Sequence, residues 1–181
     1  FKNLMEKIKK TDSLFIAGHT GMVGGAVTRK LKENGYLNLL IPNRSSLNLL
    51  DHFSVEKWFQ EYNPDVVILA AAKVGGIEAN FKSPGDFILE NLKIQTNVIE
   101  NAWKSGIKKF IFLGSSCIYP KFSPQPIKEE YLLSSDLEIT NESYAIAKIA
   151  GIKLCAALKN QYGFEAISLM PTNLFGPKDN Y

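Results

Sequence analysis

Short apolar runs alternate along this chain with stretches whose apolar residues recur at helical spacing. "LFIAG" (14–18) is an apolar run closed by Gly18, and the segment from about Gly21 spaces Val23, Val27 and Leu31 four apart, on one helix face. Gly35 is placed to end that helix. "LNLLIPN" (37–43) predicts a second strand, limited at its end by Pro42. Asp51 is placed to cap a helix that carries Val55, Trp58, Phe59 and Tyr62 on one face. "DVVILAAA" (65–72) and "KFIFLGSS" (109–116) are continuous apolar runs, the pattern of parallel strands buried on both faces. Long helical segments occupy 86–106 and 142–163, and "EAISLMP" (165–171) reads as a last strand. Strand and helix alternate throughout, which predicts an α/β fold: a doubly wound parallel sheet with helices on both faces and right-handed crossovers.

Three stretches add to this frame. Phe1, Leu4, Met5 and Ile8 sit at helical spacing, so residues 1–12 are expected to form a helical extension ahead of a domain over 13–181. The segment 118–141 is rich in Pro and Ser, and an irregular stretch of that length predicts a lid or binding loop. The helix over 144–158 is apolar nearly all the way round, from Ile146 and Ala147 to Ala157 and Leu158. Such a helix is expected to be covered on both sides, by the sheet and by a further domain or second subunit. The chain opens on Phe and closes on "GPKDNY", from which a fragment is expected.

Composition narrows the function classes. With 45% hydrophobic and 22% charged residues among 181, the chain reads as one soluble domain with a proper core. The 21 Lys and Arg and 18 Asp and Glu are scattered, and no basic block exceeds Lys9-Lys10 or Lys108-Lys109. Nucleic acid and membrane surfaces are therefore not expected as partners. No apolar run approaches the roughly 20 residues of a membrane span. Cys117 and Cys155 form no CxxC pair and join no cluster at zinc spacing. Reduced thiols, a cytoplasmic location and no metal follow as expectations.

The first run leads into "GHTGMVGG", with Gly18, Gly21 and Gly24 at GxxGxxG spacing. The first glycine permits a tight turn, the second lets backbone approach a pyrophosphate, and the third allows close packing of helix on strand. The helix N-terminus then offers unpaired N–H groups to phosphates. Turns also collect glycine, so position decides: between a first strand and a first helix, the triplet points to a Rossmann-type dinucleotide site. An NAD site would place an acid near the end of the second strand, whereas "IPNRSS" supplies Arg44 and no acid before Asp51. A guanidinium can pair with a 2′-phosphate, which makes NADP the expected cofactor; the bland alternative is a solvated surface arginine.

Tyr144 and Lys148 are four apart, on one helix face. Tyrosine is a poor acid or base near neutral pH, and a cationic lysine one turn away would bring its pKa down. Ser115 or Ser116, at the carboxyl end of a central strand, stands where open α/β sheets bind ligands and could hold a substrate oxygen. A Tyr-x-x-x-Lys pair also arises by chance on exposed helices; the strand-end serines and the glycine loop, in the right order, give it weight. Read from the residues alone, Cys117 and Cys155 could each be a small buried hydrophobe.

"GHTGMVGG", "AAAKVGGIEAN", "LGSSCIYP", "NESYAIAKIAGIKL" and "MPTNLFGP" together resemble the extended short-chain dehydrogenase/reductase superfamily, and within it the GDP-keto-sugar 3,5-epimerase/4-reductases, from about residue 13 onward. The resemblance implies Tyr144 as the general acid at the C4 oxygen, Lys148 as its partner and a cofactor ligand, and Ser115 as the third member. Cys117 would be the acid/base for epimerisation, paired with a histidine that matches neither His19 nor His52. Cofactor contacts implied are Gly18, His19, Thr20, Gly21, Met22, Val23 and Gly24 in the glycine loop, and Arg44, Asn48, Leu49 and Ala71 beyond it. Leu113, Gly114 and Ser116, with Pro171, Thr172, Asn173 and Leu174, complete them. Thr20 departs from the family, which often carries Arg there. The resemblance further implies NADP, a GDP-sugar substrate, a C-terminal substrate domain absent from this chain, and a homodimer through helices 86–105 and 142–162. Two alternatives stand beside it: an NAD(P)-dependent sugar-nucleotide 4-epimerase or dehydratase of the same superfamily, and a non-catalytic NADP-binding or oligomerising module.

Overall fold

The protein is described by a computed structural model over residues 8–177 and 179. Five parallel strands form one sheet in the order β2-β1-β3-β4-β5, where β1 is Leu14–Ala17, β2 Leu39–Leu40, β3 Val66–Leu69, β4 Lys109–Leu113 and β5 Ala166–Leu169. The helices are α1 Met22–Glu33, α2 His52–Tyr62, α3 Ile77–Lys82, α4 Pro84–Lys104 and α5 Glu142–Tyr162. The doubly wound α/β expectation is met. Sequential strands leave β1 in opposite directions, so a crevice opens at the carboxyl ends of β1 and β3, where the strand order reverses.

Local signals fix these elements. Asp51 caps α2, its carboxylate accepting from the Phe53 N–H at 3.0 Å. Gly163 ends α5 in the left-handed region at φ 73°. The main core lies on one sheet face: Phe15, Val67, Phe110 and Phe112 meet Val55, Trp58 and Phe59 of α2, Val98, Ile99 and Ala102 of α4, and Cys155 of α5. On the other face Leu14 and Val66 pack against Leu31 of α1. Toward β5 that second face is thinly covered, and Ile111, Leu113, Ile167 and Leu169 stand half-buried.

Four local expectations change. The strand expected over 37–43 pairs only at Leu39 and Leu40. The helix expected from residue 86 begins at Pro84, a residue suited to a first helical turn. Helix α3 was not foreseen, because "VGGIEANF" is too short to show a period. Of the expected N-terminal helix, residues 8–12 form a turn, in which the Asp12 carboxylate accepts from the Lys9 N–H at 2.7 Å; residues 1–7 lie outside the described residues. The segment 118–141 carries short 3-10 turns at Glu129–Tyr131 and Ile139–Asn141, and Lys121 pairs with Glu138 across its two ends at 2.8 Å. Among the described residues no helix is long and apolar enough to cross a membrane.

Candidate active site

The three glycines meet three different surroundings, as dinucleotide binding requires. Gly18 has φ +89°, and a Cβ there would lie 2.6 Å from the Ala71 nitrogen, so only glycine lets the β1 turn pass the end of β3. A Cβ on Gly24 would strike the Gly18 carbonyl, which sets α1 hard against that turn. A Cβ on Gly21 would find its nearest neighbour at 3.5 Å, so this position is open toward the crevice. The crevice is a cleft of about 990 Å³, within the size range of cofactor sites. Gly18, His19, Thr20, Gly21, Met22, Val23, Gly24, Arg44, Asn48, Leu49 and Ala71 all line it. Arg44 is exposed at its rim and forms no ion pair among the described residues. An open cradle with a free guanidinium at one end fits a dinucleotide carrying an extra phosphate.

The remaining predicted residues gather around the tip of β4. Because β4 pairs with β3, with Leu69 opposite Phe112, this tip adjoins the Ala70–Ala71 wall of the cleft. The Gly114 N–H donates to the Leu169 carbonyl at 2.7 Å and the Ser116 N–H to the Pro171 carbonyl at 3.1 Å. The tips of β4 and β5 are thereby tied, and Thr172, Asn173 and Leu174 follow, exposed. The Ser115 hydroxyl accepts from the Cys117 N–H at 3.2 Å, capping the 3-10 turn Ser116–Ile118 that presents the half-buried Cys117. Ser115 lies near enough to the Tyr144 phenol to favour its ionised form.

Lys148 is buried, donates to the Leu113 carbonyl at 2.7 Å, and lies over the Phe112 ring at 5.0 Å and the Tyr144 ring at 5.7 Å. Burial pulls its pKa down to about 8. Burial pushes the Tyr144 phenol up to about 12, with the neighbouring Cys117 adding to the rise and Ser115 opposing it. The expectation that Lys148 lowers the tyrosine pKa is therefore corrected. In this geometry desolvation of the phenolate outweighs everything else near it, and the ammonium is engaged with Leu113.

Sequence reasoning missed the wall opposite the glycines. The Lys73 N–H donates to the Asn91 side-chain oxygen at 2.9 Å and the Asn91 amide donates to the Lys73 carbonyl at 3.0 Å, so α4 grips the loop after β3 from both sides. Lys73 also pairs with Glu90 at 2.6 Å. Amides recurring at helical spacing on an otherwise apolar face, Asn91 and Gln95, were the available signal.

Residues 14–181 match the model of the NAD dependent epimerase/dehydratase family. The chain belongs to that family. It is 58% identical over 172 residues to GDP-L-fucose synthase 1 of Arabidopsis thaliana, covering 95% of this chain and 53% of that protein. It is 54% identical over 168 residues to GDP-L-fucose synthase of Escherichia coli, covering 93% and 52% respectively. Among solved structures, it resembles the NADP-bound GDP-mannoheptose C4 reductase MlghC of Campylobacter jejuni at TM-score 0.92 and 40% identity, covering 96% of this chain and 55% of that one. The NADP-bound GDP-L-fucose synthetase of Naegleria fowleri superposes at TM-score 0.85 and 30% identity, over 96% and 54%. The chain thus spans about half the length of the curated relatives it matches.

Proposed function

We propose that this chain is the cofactor-binding part of an NADPH-dependent epimerase/reductase that converts GDP-4-keto-6-deoxy-D-mannose to GDP-L-fucose. The observation that carries this reading is the convergence of Ser115, Cys117, Tyr144 and Lys148 at the tip of β4, beside a cleft walled by the glycine loop. The identities to GDP-L-fucose synthases support the substrate class. NADPH, when bound, supplies the hydride that reaches C4.

The residues divide the rest of the work. Tyr144, held protonated by burial, is an acid suited to giving a proton to the C4 oxygen. Ser115 stands beside Tyr144 and can hold that same oxygen. Lys148 fixes positive charge next to the phenol while bonded to the Leu113 carbonyl at the strand tip. Cys117 takes a proton from C3 or C5, which the C4 ketone acidifies because the charge left behind is shared as an enolate. A second acid/base group would return a proton on the opposite face of the sugar. The half-buried stripe Ile111, Leu113, Ile167 and Leu169 supports further chain packing on the sheet.

Leu89 on α4 and Ile146 on α5 are 53% and 42% exposed, which supports a homodimer through these two helices. Two unpaired thiols, Cys117 and Cys155, fit a cytoplasmic setting. The test is Tyr144→Phe in a polypeptide of the relatives' length. Reduction should fall by about 10²- to 10⁴-fold while deuterium exchange at C3 and C5 continues. Ketone reduction at the parent rate would overturn the assignment.

A further inference from the structure

Helix α4 touches both halves of the site through buried amides. Asn91, 2% exposed, holds the Lys73 main chain in the cleft wall. One turn later Gln95, 3% exposed, donates from Nε2 to the Ala147 carbonyl of α5 at 2.6 Å. Ala147 directly precedes Lys148 and lies one turn from Tyr144.

The seat for this amide is built from both neighbours. A Cβ on Gly151 would come within 2.8 Å of Gln95 Oε1 and 2.5 Å of Phe112 Cζ, so the missing side chain at Gly151 opens the space in which the amide lies. Phe112 is in turn the ring beneath the Lys148 ammonium. A carbonyl inside a helix already receives a bond from the residue four on, so the Ala147 oxygen has no need of Gln95 for its own satisfaction. Burying a long amide between two helices also costs side-chain entropy that leucine would cost less. Core stability alone does not account for glutamine here.

We propose that Gln95 is a positioning residue: its amide sets the rotation and depth of α5 against α4, and so places Lys148 and Tyr144 relative to the cleft wall that Asn91 holds. The inference rests on the reductase reading above for its catalytic consequence, though its geometric content stands apart from it. Misplacing acid and cofactor ligand by a fraction of an ångström would be felt in turnover more than in binding.

The test uses Gln95→Met, which fills the space without a donor, and Gln95→Glu, which keeps the shape and replaces donor by acceptor. Both are made in a polypeptide of the relatives' length. Expected is a fall in kcat for ketone reduction of about 10- to 100-fold, with KM for the GDP-sugar and Kd for NADPH changed by less than about threefold. The pH profile of kcat should move as well. A ¹⁵N-NMR titration of the Lys148 ammonium in cofactor-free protein should show a displaced midpoint, and this readout holds even if the parent proves to have no reductase activity. Variants that fold with unchanged kcat, pH profile and lysine titration would overturn the proposal. So would unfolding of both, which would assign the amide to stability alone.

Discussion

The Lys148 ammonium donates a 2.7 Å hydrogen bond to the main-chain carbonyl of Leu113, the last residue of β4. Among the described residues it forms no ion pair, and the rings of Phe112 and Tyr144 lie beside it. A buried charge held by one carbonyl and two aromatic faces is a costly arrangement for a fold and a useful one for a site. It keeps a cation next to a phenol at the strand end that adjoins the dinucleotide cleft.

The cost has a sign that experiment can read. In the folded protein Lys148 titrates near 8, against an ordinary value of 10.5. Below about 8 both states are charged and the folded state carries the full burial penalty; the penalty fades as pH rises toward 10.5, where the unfolded lysine also loses its proton. Lys148→Met should therefore be more stable than the parent at pH 7. The upper limit is about 3 kcal/mol, reduced by about 1 kcal/mol for the Leu113 bond. Urea denaturation should find this gain at pH 7 and little of it near pH 10, while reduction is lost at both.

Cys117 separates the two halves of the proposed chemistry. Its turn is capped by Ser115, so serine at 117 should leave the backbone and the Ser115–Tyr144 contact in place. Cys117→Ser is expected to lower deuterium exchange at C3 and C5 by at least about 10²-fold. Reduction of a keto-sugar supplied already epimerised should stay within about threefold of the parent. In a plain C4 reductase or 4-epimerase the same change would matter little, so isotope incorporation followed by mass spectrometry distinguishes these enzymes.

Much of this site was readable from the chain because its parts obey local rules. The glycine triplet between β1 and α1 announces a turn that only glycine can make, and Gly18 does adopt the left-handed backbone there. Tyr144 and Lys148 share a helix face by spacing alone. What spacing does not carry is solvent exclusion. The tyrosine's rise to about 12 comes from the packing of β4, α5 and the turn at Cys117, which no local pattern records. The amides of α4 show their spacing in the sequence but not their task, for a related reason. Asn91 and Gln95 look like surface polar residues until the loop at Lys73 and the gap at Gly151 are known.

Two glycines of the triplet should fail differently. A methyl at 24 meets main chain, with the Gly18 carbonyl carbon at 2.6 Å and the His19 Cα at 3.0 Å, and neither can move without shifting the turn. Gly24→Ala is expected to cost about 1–3 kcal/mol of stability and to weaken NADPH binding together with it. A methyl at 21 has its nearest contact at 3.5 Å. Gly21→Ala should melt like the parent yet bind NADPH less tightly, because the methyl occupies the cleft itself. Thermal melts alongside cofactor titration separate the two; equal melting loss in both would show that the triplet serves packing only.

At the opposite end of the sheet, Lys108 joins the starts of three strands. Its ammonium pairs with Asp12 just before β1 at 2.7 Å and with Asp65 just before β3 at 2.9 Å, while Lys108 itself precedes β4. Asp65 also accepts from the Ser13 N–H at 2.8 Å and the Ser13 hydroxyl at 3.0 Å. Both carboxyls are held below their ordinary value, Asp12 chiefly by its hydrogen bond from Lys108 and Asp65 chiefly by that from the Ser13 N–H. A depressed carboxyl contributes stability that is fully present above its unfolded value of 3.8 and is lost as pH falls through the folded one. Lys108→Met should thus lower stability at pH 7, since two carboxylates then face each other without a cation. The difference from the parent should shrink once acid protonates both. Denaturation at pH 7 and at pH 3 measures this directly, and a gap between the two proteins that stays constant with pH would mean that Lys108 acts through its aliphatic stem rather than its charge.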